Sequence, residues 1–133
     1  MFKTLSTKSR GDDAETRALN YLNRQGLRLA ERNYRVARGP HARGGEVDLI
    51  MRAPDGTLVF VEVRARSDAS HGGAAASITP AKQRRIIFAA GHYLRTLRIT
   101  PPCRFDIVAI DGEAIEWLPG AFDSSSAWSS PPD

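Results

Sequence analysis

Apolar residues change their spacing along this chain, and the changes mark its elements. Ala14, Ala18, Tyr21 and Leu22 recur at helical spacing and Gly26 is a natural stop, so the pattern predicts a helix from about Asp12 to Gln25. Glu15 then sits in the first turn, where a carboxylate interacts favourably with the helix N-terminus. Residues 27–36 interleave Leu27, Leu29, Tyr34 and Val36 with arginines, which predicts a partly exposed strand at a sheet edge. Two apolar runs then flank Pro54-Asp55-Gly56, a turn signal, and predict a β-hairpin over 46–66. The second helix is the best signalled: Thr79 as N-cap, Pro80 at the first helical position, and a stripe of Ile86, Ile87, Ala90, Leu94 and Leu97, running to about Thr96.

Pro101-Pro102 closes that helix. The near-continuous apolar run 104–110 predicts a central strand, and the crossover before it is long enough to make it parallel to the hairpin's second strand. Asp111-Gly112 turns into a short last strand, 114–118. Residues 1–10 read as a flexible start and 123–133, rich in Ser, Pro and Asp, as a disordered tail. One domain, 11–122, remains. Its order αβββαββ implies an α/β fold, a mixed sheet of about five strands flanked by helices.

Charge interrupts this pattern at one place. By strand alternation, Glu46, Asp48 and Ile50 share one face and Val47, Leu49 and Met51 the other. Phe60, Glu62, Arg64 and Arg66 likewise share a face opposite Val59, Val61 and Val63. Folding the hairpin brings Asp48, Glu62 and Arg64 onto one surface. Two carboxylates held together repel unless a cation lies between them. Mg²⁺ takes oxygen ligands, commonly one or two carboxylates, and keeps several waters. Asp48 and Glu62 can supply two such ligands and the Val63 backbone carbonyl a third. Arg64, two residues past Glu62, can stabilise a phosphate, as hydrolysis of a phosphodiester requires. A buried Asp–Arg or Glu–Arg ion pair would produce the same residues, so spacing alone leaves both readings open.

Charge distribution adds a partner. The chain has 133 residues and a net charge of +4, but residues 1–100 carry 18 Lys+Arg against 9 Asp+Glu. A basic body with an acidic end suits a polyanion such as nucleic acid. The candidate contacts are Arg38 and Arg43 in the glycine-rich loop that also holds His41, Arg66 at the hairpin's end, and Lys82 and Arg85 on the second helix. The single cysteine, Cys103, excludes an intramolecular disulfide and a multi-cysteine zinc site, fits a reducing cytoplasm, and reads as a packing residue. No apolar stretch is long enough to span a membrane, and residues 1–10 lack the apolar segment of a secretory signal.

Four blocks now carry a resemblance: Gly-Glu-Val-Asp-Leu-Ile (45–50), Phe-Val-Glu-Val-Arg-Ala-Arg (60–66), Thr-Pro-Ala-Lys-Gln-Arg-Arg-Ile (79–86) and Cys-Arg-Phe-Asp-Ile-Val-Ala-Ile (103–110). Together they resemble the YraN-type family of uncharacterised bacterial proteins. That family is similar to the restriction-endonuclease-like PD-(D/E)xK nucleases, and among them to archaeal Holliday junction resolvases. The resemblance implies a three-layer α/β/α core and an endonuclease dependent on Mg²⁺ or Mn²⁺. It places the metal-binding pair on Asp48 and Glu62, the helix-borne acid of the resolvases on Glu15, and a polar helper on Gln83. The superfamily lysine falls on Arg64, a departure, because arginine keeps its proton and cannot act as a base. The resolvase likeness implies a homodimer acting on branched or junction DNA, with DNA ahead of RNA. Two further classes stay open: a nucleic-acid-binding protein without turnover, and an interaction module using the exposed first strand.

Overall fold

A computed structural model describes residues 7–37, 44–66 and 78–124. The elements are α1 (Thr7–Arg24), β1 (Arg28–Val36), β2 (Gly45–Arg52), β3 (Leu58–Arg66), α2 (Pro80–Leu94), β4 (Cys103–Asp111) and β5 (Ala114–Phe122). This is the expected order. The strands form one sheet in the order β1-β2-β3-β4-β5. β1, β2 and β3 pair antiparallel, β3 and β4 pair parallel across the α2 crossover, and β5 returns antiparallel. β1 lies at the edge, as its interspersed arginines imply.

Period-2 alternation splits the core in two. Leu49, Met51, Val59, Val61, Val108 and Ile110 pack with Ala14, Ala18 and Leu22 of α1. Ile50, Leu58, Phe60 and Phe105 pack with Ile86, Ala89 and Ala90 of α2. Neighbouring strand residues thus belong to different helices, so α1 and α2 cover opposite faces of the sheet in three layers. Aromatic stacking ties the second layer across strands, with Phe105 5.6 Å from Phe60 and 5.1 Å from Phe122.

Four departures from the sequence pattern matter. α1 begins at Thr7, so Glu15 lies in the third turn and gains nothing from the helix N-terminus. Val47 joins the α2 layer instead of sharing a face with Leu49, so alternation breaks at Asp48. Opposite this break, β1 has Asn33 at φ 56°, and Tyr34, paired with Val47, packs on Tyr93 of α2. Cys103 is exposed at the start of β4 and so does not pack. β5 continues four residues past Leu118, through Pro119 and Gly120.

The last departure has a cause in Asp106, a fully buried carboxylate in β4. Gly120 N–H donates to its Oδ1 at 2.9 Å and Trp117 Nε1 to its Oδ2 at 2.9 Å. Arg104 Nε donates at 3.0 and 3.3 Å to the two oxygens. The β4–β5 register shifts between Phe105 and Ile107, and this side chain holds β5 where the ladder is irregular. We expect Asp106→Ala to cost roughly 3 kcal/mol, because three donors lose a buried, charged acceptor. Urea unfolding followed by Trp fluorescence measures it, and a loss below about 1 kcal/mol would show that Asp106 is not the anchor.

Candidate active site

The site begins where β2 leaves β3. Their ladder ends at the Leu49–Val61 pair. Just beyond it, Val63 N–H donates to Asp48 Oδ2 at 2.8 Å, so the carboxylate does what the next ladder residue would have done. A strand residue sends its N–H and C=O to the same side, so the Val63 carbonyl also leaves toward the gap. Glu62 alternates with Val61 and Val63 and lies with Phe60 on the α2 side. It is 2 % exposed.

The two oxygens of Glu62 have unlike surroundings. Oε2 faces cations, with Lys82 Nζ at 3.6 Å and Arg64 Nη1 at 3.7 Å. Oε1 is buried with no hydrogen-bond partner. Burial first, and repulsion from Asp48 second, push Glu62 up to about 8 despite both cations. Burial also raises Asp48, opposed chiefly by the Val63 N–H. The two carboxylates lie close enough that each perturbs the other's titration. Two buried carboxylates with raised pKa values, one with an oxygen left unbonded, form a site where a cation would offset their repulsion.

Among the described residues no group of three or more His, Cys, Asp or Glu side chains could hold a metal ion. The oxygen donors that could face one ion here are the carboxylates of Asp48 and Glu62 and the Val63 carbonyl. That number suits Mg²⁺ or Mn²⁺, which complete their shell with water.

α2 closes the site from one side. Its first turn is fixed by Thr79, whose hydroxyl accepts from Lys82 N–H at 3.1 Å, and by Pro80 at the helix start. A Cβ on Gly45 would stand 2.1 Å from Arg85 O and 3.0 Å from Ala89 N, so only glycine lets α2 come this near β2. The approach brings Lys82 and Arg85 within reach of Glu46 on β2. Lys82 Nζ lies 3.4 Å from Glu46 Oε1 and Arg85 Nη2 3.8 Å from the same oxygen, while Arg35 of β1 reaches Oε2 at 3.5 Å. Glu46 is thus the hub of three cations, a role overlooked in the sequence although it shares its strand phase with Asp48.

The other candidates are placed as follows. Arg64 stands beside Glu62, a third of its side chain exposed. Glu15 pairs with Arg32 of β1, Nε to Oε1, at 3.4 Å. Gln83 Nε2 reaches Ile78 O at 3.5 Å, tying the entering loop to α2. Arg66 ends β3 with its backbone opposite Asp111. Arg38, His41 and Arg43 lie outside the described residues.

A raised carboxylate pKa has a stability consequence of definite sign. The folded state binds the proton more tightly than the unfolded chain, so stability is highest below the ordinary Glu value and falls as pH rises toward about 8. The slope is at most about 1.4 kcal/mol per pH unit. We expect Glu62→Gln to remove this fall, so that its melting temperature exceeds the parent's at pH 8 and the two converge near pH 5. Equal pH dependence in both proteins would contradict the assignment.

Comparison with known proteins matches this chain to a family. Residues 14–110 match the profile of the family described as Uncharacterised protein family UPF0102. A UPF0102 protein of Methylibium petroleiphilum is 62% identical over 121 residues, covering 91% of this chain and 99% of the relative. One from Cupriavidus taiwanensis is 61% identical, covering 92% and 88%. No helix among the described residues is long and apolar enough to cross a membrane.

Proposed function

The chain belongs to the UPF0102 family, and we propose that it is an endonuclease of the PD-(D/E)xK type that hydrolyses phosphodiester bonds in DNA with Mg²⁺ or Mn²⁺. The carrying observation is the Asp48–Glu62 pair: two buried carboxylates crowded where β2 and β3 part, with Glu62 Oε1 buried and unbonded. Asp48, Glu62 and the Val63 carbonyl are the residues that would hold the ion. The ion supplies charge neutralisation for the phosphate and makes water a better nucleophile.

The chain's own residues do the rest. Val63 N–H fixes Asp48 in place through its Oδ2. The cations at the rim, Arg64 and Lys82, offset the negative charge of the phosphodiester. Arg64 contributes as a fixed charge, since a guanidinium does not give up its proton in a protein. The positive charge of residues 1–100 gives the DNA backbone its attraction. Branched or junction DNA is the proposed substrate form, bound by a homodimer. Gln83 steadies the start of α2, and Glu15 supports the same end of the sheet through Arg32.

The test is a cleavage panel with Mn²⁺ across linear, single-stranded and four-way-junction DNA and the corresponding RNAs. We expect junction DNA to be cut and cutting to stop with chelator. DNA binding that weakens steeply with salt but never leads to cutting would favour the non-catalytic nucleic-acid-binding reading, for which arginine at position 64 is the supporting feature.

A further inference from the structure

We propose that Lys82, carried on α2, is the cation that contacts the attacking water and the scissile phosphate. The helix lysine thus fills the place left by arginine on the strand. This inference rests on the hydrolytic reading above.

The first support is position. Lys82 Nζ reaches the same Glu62 oxygen as Arg64 does, at 3.6 Å against 3.7 Å, but from the other layer of the fold. It also reaches a second carboxylate, Glu46 Oε1, at 3.4 Å. Its side chain is 21 % exposed against 35 % for Arg64.

The second support is the machinery that delivers it. The Thr79 cap bonds the Lys82 backbone N–H itself, Pro80 presets the helical backbone two residues earlier, and Gly45 lets this turn of α2 close onto β2. A lysine that served only as surface charge would need none of these constraints.

The third is charge. Glu46 already has Arg35 at 3.5 Å and Arg85 at 3.8 Å. Neutralising Glu46 therefore does not require Lys82. The pair Asp48–Glu62 does not require it either once a divalent cation is bound, because the ion takes up the carboxylate charge. The ammonium is then released from Glu62 and kept within reach by Glu46, free to donate to a new oxygen. Its three donors on a compact charge suit a water and a phosphate oxygen together. In the reaction the water oxygen bonds to phosphorus as the ester P–O bond breaks. The water's proton passes through solvent to the leaving oxygen, and Lys82 acts only as a hydrogen-bond donor.

Three measurements test this on the full chain: junction-DNA cleavage at saturating Mn²⁺, Mn²⁺ affinity by calorimetry, and rescue. Lys82→Met is expected to lose on the order of a hundredfold in kcat with little change in KM, as removal of a transition-state donor does. The same variant should bind Mn²⁺ more tightly, by about tenfold, because a positive charge beside the ion is gone. A lysine whose ammonium lay away from the ion would leave the metal affinity unchanged. Adding Arg64→Lys to Lys82→Met should recover part of kcat by restoring a lysine to the site from the strand. Lys82→Gln takes the place of Lys82→Met if the latter does not fold. A kcat within about threefold of the parent, or unchanged or weaker Mn²⁺ binding, overturns the role of Lys82 alone. A parent that cuts nothing overturns the hydrolytic reading and this role with it.

Discussion

Replacing Asp48 by alanine is expected to lower DNA cleavage by on the order of a thousandfold, since one of two carboxylate ligands carries several kcal/mol of metal-dependent stabilisation. The protein should stay folded. Val63 N–H loses its acceptor, which costs about 1 kcal/mol. Against that, Glu62 loses its repulsive neighbour, the second cause of its raised pKa, and its value falls back toward the ordinary range. DNA affinity should hold or rise, because a negative charge has left a site that faces phosphate. Cleavage rate and fluorescence anisotropy on the same junction separate the two effects. An alanine variant that cuts at the parental rate would mean that Asp48 serves only as a cap for Val63.

Gly45→Ala should be damaging for a different reason. Its Cβ would lie 2.1 Å from Arg85 O and 3.2 Å from Ala89 Cβ, and the first of these is helix backbone, which cannot rotate away. α2 must lift off β2. Overpacking of this kind costs roughly 1–3 kcal/mol. The larger effect falls on function, because Lys82 and Arg85 ride on that part of α2. A misplacement of about 1 Å can cost on the order of a hundredfold in rate. Thermal unfolding and cleavage of the variant measure both. If its melting temperature and its cleavage rate both match the parent's, α2 does not sit on β2 as described.

The carboxylate pair was legible in the sequence because strands announce their faces. Asp48 and Glu62 stand in apolar runs, and alternation alone put them on one surface. The parallel pairing of β3 and β4 followed from the length of the crossover, and the start of α2 from Thr79 and Pro80. Glu15 and Gln83 came only through resemblance to a family, since neither has a local pattern pointing to a site.

What stayed hidden depended on distances between elements far apart in the chain. Nothing near Lys82 shows that it faces Glu46 and Glu62, because that is decided by the missing side chain of Gly45, 37 residues earlier. Alternation put Glu46 on the face of Asp48, but nothing local shows the cations that gather on it. Asp106 read as one polar residue in a central strand, yet it fixes the path of β5 by holding Gly120. The break in alternation at Asp48 belongs to β1 as much as to β2, since Tyr34 draws Val47 toward α2.

The central claim is that Asp48 and Glu62 together hold a divalent cation. Titration calorimetry with Mn²⁺ at a pH above about 8, where Glu62 has released its proton, tests it most directly. We expect the parent to bind one ion per chain, with binding weakening as pH falls below that value, and Asp48→Asn to bind at least tenfold more weakly, on the order set by loss of a ligand group. No binding by the parent, or equal binding by Asp48→Asn, would contradict the claim and leave the pair as a buried carboxylate contact.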